Sequence, residues 1–298
     1  MPQLVSPSAE ASVPVVTVVL PVFNAGRFLR AAVQSIAQQT YRDWELLIID
    51  DGSTDAALET ISDIDDTRIR IVRDGSNKGL AARLNEGIDL ARGLFFARMD
   101  QDDIAYPERL ARQVQTLEEN PGLDLVAARC LTISPENEPV GMLPYAETHE
   151  AICARPWLGF YLPHPTWMGR IEWFRKYRYT IPEPHLCEDQ DLLTRSYTDS
   201  RFAVIPETLL AYRIARKKSL KKLWNTRYSV LCMQLRNFMH SRNVVFALLA
   251  VLMFVMRLIT DLLNALLPEG RQAGHHRAKQ IEDTELAKWR SVRESLHV

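Results

Sequence analysis

The chain predicts an α/β fold in which a mainly parallel sheet is flanked by helices, followed by a helical region that associates with a membrane. Three features of its 298 residues carry that expectation. Apolar, β-branched runs alternate with stretches of helical period, carboxylates cluster at the ends of two of those runs, and charge is split unevenly along the chain. Strands alternating with helices imply parallel neighbours joined by right-handed crossovers. Ligands of such sheets bind beyond the carboxyl ends of the strands, where the loops converge.

The first strand is "VVTVVL" (15–20), and Phe28, Leu29, Ala32, Val33 and Ile36 then recur at helical spacing. The second strand, "WELLIID" (44–50), precedes a helix expected from about Thr54. "IRIVR" (69–73), the helical "GLAARLNEGIDLA" (79–91) and "LFFARM" (94–99) continue the alternation. No GxGxxG follows the first strand, which sets aside a dinucleotide-dependent oxidoreductase. A hydrophobic content of 47% is enough for one substantial domain with an appendage. The cysteines, Cys130, Cys153, Cys187 and Cys232, are too scattered to suggest a zinc site or a disulfide framework, and a reducing cytoplasm fits them best. "MPQLVSPSAEASVP" lacks the basic-then-apolar order of a secretion signal, so export of the main domain is not expected.

Two segments at strand ends concentrate carboxylates, "DDGSTD" (50–55) and "DQDD" (100–103). The first also suits an ordinary strand-to-helix turn capped by Ser53 or Thr54. The second is harder to explain by turn chemistry, because three carboxylates within four residues repel one another unless opposite charge or a metal lies close. A hard divalent cation whose shell is completed by phosphate is the usual physical solution. Mg²⁺ or Mn²⁺ and a phosphorylated ligand are therefore expected.

The stretch "VVLPVFNAGRFLRAAVQSIAQQTYRDWELLIIDDGSTD", with the later "NKGLAARLNEGIDLARGLFFARMDQDD", resembles the nucleotide-binding half of glycosyltransferase family 2. These are inverting, nucleotide-sugar-dependent enzymes of the GT-A fold, and the chain resembles the bacterial surface-polysaccharide type. The resemblance covers roughly residues 14–215. It implies that Pro21, Phe23, Asp51 and Lys78 surround the base and ribose, with Asp51 accepting the N3–H of uracil or thymine. Asp100, Gln101 and Asp102 correspond to the DxD motif, with Asp102 as the direct metal ligand beside Asp100. Arg83 and Asn85 match the family's Arg-Asn pair, although solvated positions on a helix face are the plainer alternative.

The resemblance extends to the acceptor side. "LPHPTWMGR" (162–170) puts His164 near the active site, although a lone histidine is more often structural. "LCEDQDLLTRSY" (186–197) sets Glu188 and Asp189 in the first turn of a helix, where its dipole favours carboxylates. They match the family's catalytic pair, with Asp189 as general base. Asp191 is the weaker candidate, since about 100° of rotation per residue aims it elsewhere. A saccharide or lipid-linked acceptor and a UDP- or dTDP-sugar donor follow from the resemblance, with a polyprenyl phosphate acceptor as the alternative. A non-catalytic membrane scaffold and a DxD phosphotransferase are the rival classes; Ile104 stands where the latter needs Thr or Val, and Arg98 interrupts its strand.

The expected organisation is a flexible N-terminus (1–13), a catalytic domain (14–212) divided at 103/104 into nucleotide-binding and acceptor halves, a membrane-association region (213–267) and a polar tail (268–298). Residues 1–207 carry 20 basic and 31 acidic side chains, whereas residues 208–298 carry 16 and 6. Residues 213–243 hold nine Lys or Arg and no acid, interleaved with Leu, Trp and Phe. Nucleic acid would satisfy such a stripe, but the apolar "VVFALLAVLMFVMRLITDLLNALL" (244–267) that follows argues for an anionic membrane surface instead. Arg257, Thr260, Asp261 and Asn264 share one helical face, which favours a helix lying in or re-entering the membrane at the cytoplasmic face of a bacterial inner membrane. Burial against the catalytic domain or homo-oligomerisation through these helices is the alternative.

Overall fold

The computed structural model describes residues 13–182, 187–214, 220–266 and 281–297. Residues 1–12 of the expected flexible N-terminus and 268–280 of the expected tail lie outside these. The sheet begins with β1 (Val16–Val22), β2 (Trp44–Asp50), β3 (Ile69–Arg73) and β4 (Phe95–Arg98). All pair in parallel, in the order β3-β2-β1-β4. Side chains alternate across the pleat: Val16, Val18 and Leu20 meet α1 (Leu29–Ala37) on one face, while Val19 meets α2 (Leu80–Leu90) on the other. Both faces are covered, which is why these strands are continuously apolar rather than alternating.

Beyond β4 the sheet becomes mixed. The chain runs through β5 (Ile104–Ala105), α3 (Arg109–Glu119), β6 (Leu125–Ile133), β7 (Pro139–Met142) and α4 (His149–Cys153). It continues with β8 (Met168–Arg170), α5 (Ile171–Lys176), α6 (Glu188–Ser196) and β9 (Phe202–Arg213). β8 is antiparallel to both β4 and β6, β6 and β9 are parallel, and β5 closes the far edge against β9. The parallel rule thus holds for the first half, and the second half departs from it through short reversing strands.

One expected helix is much reduced. After "DDGSTD" there is only a 3₁₀ segment, Ala57–Ile61, rather than a helix from Thr54. The local side chains take the backbone donors first: Asp50 accepts from Ser53 N (3.0 Å), Asp55 from Ala57 N (3.2 Å) and Asn24 from Thr54 N (2.8 Å). Side-chain acceptors of this kind compete with helix hydrogen bonds.

The C-terminal region forms an antiparallel hairpin of α7 (Leu220–His240) and α8 (Val244–Leu266). Phe238 packs on Ala247 and Ala250, and Trp157 stacks on Phe246 at 4.9 Å. Residues 283–295, within the stretch expected to be a polar tail, form α9, whose Trp289 and Val292 join Ile104, Tyr106, Leu131 and Ile133 in a buried cluster. The charged residues that surround Trp289 and Val292 in sequence masked an amphipathic helix with few apolar positions.

Candidate active site

The donor-side loop is built around Asp51, which is nearly buried. Its carboxylate accepts from Lys78 N (2.7 Å), Gly79 N (3.1 Å) and Arg83 Nε (2.8 Å), so the loop after β2 is tied to the start of α2. Gly52 has φ +76°, and a Cβ there would lie 3.0 Å from the Ser76 backbone, so the crossing of these loops requires glycine. Arg83 has no exposed side-chain surface and pairs with Asp51, Asp74 and Glu86. The solvated helix face considered from sequence is therefore excluded for Arg83. Hydrogen bonds from Arg83, Lys78 and Ser76 hold the Asp74 carboxyl far below the usual range. Lys78 keeps about half its side chain exposed and ion-pairs with Asp74. Pro21 is buried in β1 opposite Ile49, whereas Phe23 is 45% exposed at the strand's mouth.

Gln101 joins this loop to the aspartate cluster. Its amide accepts from Phe23 N (2.7 Å) and donates to Phe23 O (3.1 Å). The three aspartates have three different environments. Asp100 is gripped by Arg98 through Nη1–Oδ2 (2.8 Å) and Nη2–Oδ1 (2.5 Å). Asp103 is buried behind the strand end, where Oδ1 accepts from Arg213 N (2.8 Å) and Oδ2 has no hydrogen-bond partner among the described residues. Burial and the charges of Asp100 and Asp102 push the Asp103 carboxyl well up. Asp102, between them, is pushed up to about 6 by burial and by Asp100. A divalent cation would relieve this excess negative charge, and carboxylate oxygens suit Mg²⁺ or Mn²⁺. Among the described residues no three His, Cys, Asp or Glu form a ready cage, so one or two carboxylates would be the protein's share of such a shell.

On the opposite side, α6 presents Glu188 and Asp189 in its first turn. Burial and the Glu188 charge raise the Asp189 carboxyl, and Gln190 Nε2 donates to its Oδ2 (3.1 Å). Gln190 also clamps Phe160 through both backbone groups, fixing the loop before His164. His164 is 7% exposed, with Nε2 2.8 Å from the Tyr179 hydroxyl and Nδ1 3.6 Å from Glu188 Oε1. Burial, then the nearby Arg98 charge, push its imidazole down to about 3, so it is neutral at physiological pH. Asn85 pins Tyr179 by accepting from its N (3.0 Å) and donating to its O (2.9 Å). Asp191 is fully buried, accepting from Thr180, Arg195, Arg236 and Asn237. Burial raises its carboxyl, but Thr180, Arg195 and Asn237 outweigh that and hold it below the ordinary value.

The two carboxylate groups are far apart in sequence and meet across Arg98 and Tyr179. Arg98 lies in the field of Asp100, Glu188 and Asp103, and Tyr179 in that of Glu188, Asp189 and Asp100. Sequence reasoning did not single out Tyr179, Asp74, Arg213 or Gln190, and it noted Arg98 only as an interruption of a strand. The available signal was Arg98 itself, a charge inside an apolar run two residues before an acidic motif.

The fold recurs in solved structures. Staphylococcus aureus TarS residues 1–349 in complex with UDP superposes with a TM-score of 0.58 at 18% identity, covering 95% of this chain and 91% of that one. A Pyrobaculum calidifontis mannosyltransferase with GDP-Man and Mn²⁺ gives 0.58 at 15%, covering 96% and 88%. In sequence, an uncharacterized glycosyltransferase of Methanocaldococcus jannaschii is 28% identical over 87% of this chain and 94% of its own. One from Haemophilus influenzae is 29% identical over 67% of this chain and 66% of its own. An Escherichia coli UDP-Glc:α-D-GlcNAc-diphosphoundecaprenol β-1,3-glucosyltransferase is 33% identical over 35% of this chain and 42% of its own, so that match spans less than half of each protein. The sequence pattern of glycosyl transferase family 2 matches residues 17–178, more than half the chain, from within β1 to just past α5. With a GT-A-like mixed sheet carrying two carboxylate clusters at its mouth, the chain belongs to glycosyltransferase family 2.

Proposed function

We propose that this glycosyltransferase inverts the anomeric centre of a UDP- or dTDP-sugar as it transfers the hexose to a saccharide or lipid-linked acceptor in bacterial surface-polysaccharide synthesis. The observation that carries the proposal is the approach of two carboxylate clusters with different environments, DQDD and Glu188–Asp189, around Arg98 and Tyr179. Pro21, Phe23, Asp51 and Lys78 border the nucleotide, and Arg83 acts through Asp51 and Asp74 by fixing their loops. Asp102, with Asp100 beside it, would hold Mg²⁺ or Mn²⁺, which when bound neutralises the diphosphate leaving group.

Asp189 takes the acceptor hydroxyl's proton as that oxygen attacks the anomeric carbon opposite the departing nucleoside diphosphate. An alcohol is a poor nucleophile at neutral pH until a positioned base takes its proton. The raised Asp189 carboxyl is a stronger base than a solvated aspartate, so burial serves the step. Glu188 flanks the base, and neutral His164, held by Tyr179, shapes the acceptor side without adding charge. No covalent enzyme intermediate forms, since a single displacement inverts configuration.

The lipid-linked acceptor draws support from the E. coli relative and from the apolar helix α8 beside the acceptor half. A polyprenyl phosphate acceptor is the alternative within the same chemistry. The region 213–267 then holds the enzyme on the cytoplasmic face, beside its nucleotide sugars. The test is release of nucleoside diphosphate across UDP-, dTDP- and GDP-sugars with lipid-linked acceptors, with ¹H NMR of the product anomer. Retention of configuration, or no turnover with any donor, rejects the proposal.

A further inference from the structure

Arg98 is an unusual residue for the last position of a central strand. It is 3% exposed, its backbone N–H bonds to Trp167 O (2.9 Å), and its carbonyl accepts from the buried Arg109 (2.6 Å). A buried guanidinium is costly unless its donors are engaged. Here the fork closes on both oxygens of Asp100, while Nε has no hydrogen-bond partner among the described residues. That bidentate geometry is specific to arginine.

The environments of the three aspartates take their meaning from that fork. Asp103 faces the Arg213 backbone, and Asp100 is neutralised by Arg98. Asp102 forms no ion pair among the described residues, and the nearby Arg213 and Arg98 charges only partly offset burial and the Asp100 charge. A cluster that in sequence offers three carboxylates therefore offers one, Asp102, that is neither fully buried nor held by an ion pair among the described residues, next to the loop that Gln101 joins to Phe23. On its other side the same guanidinium feels Glu188 and Tyr179.

Resting on the metal-dependent transfer proposed above, we propose that Arg98 is a positioning residue that withdraws Asp100 from cation binding, making Asp102 the carboxylate that meets the metal. It also sets a fixed positive charge between the donor cluster and Glu188–Asp189. With Arg98 in place the site binds a cation weakly by itself and needs the diphosphate to complete the shell. A metal held too tightly by protein alone would not leave with the product.

Mn²⁺ binding to the full-length chain, followed by electron paramagnetic resonance without nucleotide, tests this directly. Arg98→Met frees Asp100 and removes a nearby positive charge, so Mn²⁺ affinity rises about tenfold, the scale for one unit charge at short range. Turnover falls in the same variant. Arg98→Lys keeps the charge but loses the fork, and its Mn²⁺ affinity lies between the two. In Arg98→Met/Asp100→Asn the affinity returns to near the wild-type value, which general loosening of the fold would not produce. Unchanged or weaker Mn²⁺ binding in Arg98→Met or Arg98→Lys with native circular dichroism overturns the inference, as does a double variant that keeps the raised affinity of Arg98→Met. A wild-type enzyme that turns over fully in excess chelator defeats instead the metal-dependent reading on which the inference rests.

Discussion

At the residue scale, chemistry at this site depends on what surrounds each carboxylate. Asp189, Asp191 and Asp102 are the same side chain, yet burial and Glu188 raise the first, Thr180, Arg195 and Asn237 hold the second down against its burial, and burial with Asp100 lifts the third to about 6. Asp189→Asn is expected to lower kcat by roughly 10²-fold or more while leaving donor affinity nearly intact, the scale for loss of a positioned base. Steady-state kinetics with isothermal titration of UDP measures both; a crippled Asp191→Asn beside a mild Asp189→Asn would reverse the assignment. The base acts when deprotonated, so its contribution is present above its pKa and lost as pH falls through it. Because that value is raised, the acid limb of kcat/KM lies above the ordinary carboxylate range. His164, pushed down to about 3, cannot produce this limb. The pH profile of His164→Gln should therefore keep it, and its disappearance there would assign the limb to the histidine.

At the element scale, two joints decide whether these residues stay in place. The first is Asp191, where α6 is fastened to α7 by Arg236 (2.6 Å) and Asn237 (3.3 Å). Asp191→Ala leaves the hydrogen-bonding groups of Thr180 and Asn237 short of an acceptor. Because Arg195 and Arg236 reach solvent, the expected loss is about 1–3 kcal/mol in urea unfolding, the usual cost of a broken buried hydrogen-bond set. The second is α9, which covers β5 directly after the DQDD segment through Trp289, 1% exposed. Trp289→Ala is expected to cost about 3–5 kcal/mol, typical of deleting a buried large aromatic side chain. An unfolding midpoint unchanged from wild type would mean that α9 does not hold the sheet edge in solution.

For the whole molecule, the distribution of apolar surface is the main asymmetry. Val244–Leu263 is long and apolar enough to cross a membrane, and little of it is covered. Its polar face is turned inward: Arg257 donates to Leu158 O (2.9 Å), and Asp261 pairs with Arg227 of α7. Leu248, Leu252, Ile259 and Leu262 are left more than half exposed. A helix fixed lengthwise to its own domain in this way favours lying in the interface over spanning it. Truncation after β9 would test attachment badly, because it also removes α9 from the core. Leu248→Glu/Leu252→Glu leaves α9 intact and is expected to move the protein from the membrane to the soluble fraction. If wild type is soluble without detergent and the variant converts a dimer to a monomer, the exposed face is a subunit contact instead.

The sequence alone determined the first half of the sheet, because buried parallel strands must be apolar along their whole length and their helices must show a 3.6-residue period. It also located both carboxylate clusters, since acidic residues at a strand end and at a helix start are local patterns. The reduced helix after Thr54, the reversed β8 and α9 were hidden, because each depends on competition or burial that local pattern does not record. What only the tertiary structure decided is which carboxylate faces which partner. Arg98 lies two residues from Asp100, but Glu188 and His164 reach its field only after β8 turns back against β4. Charge acts through space, so the environments that set Asp189 apart from Asp191 arise only once the chain has folded.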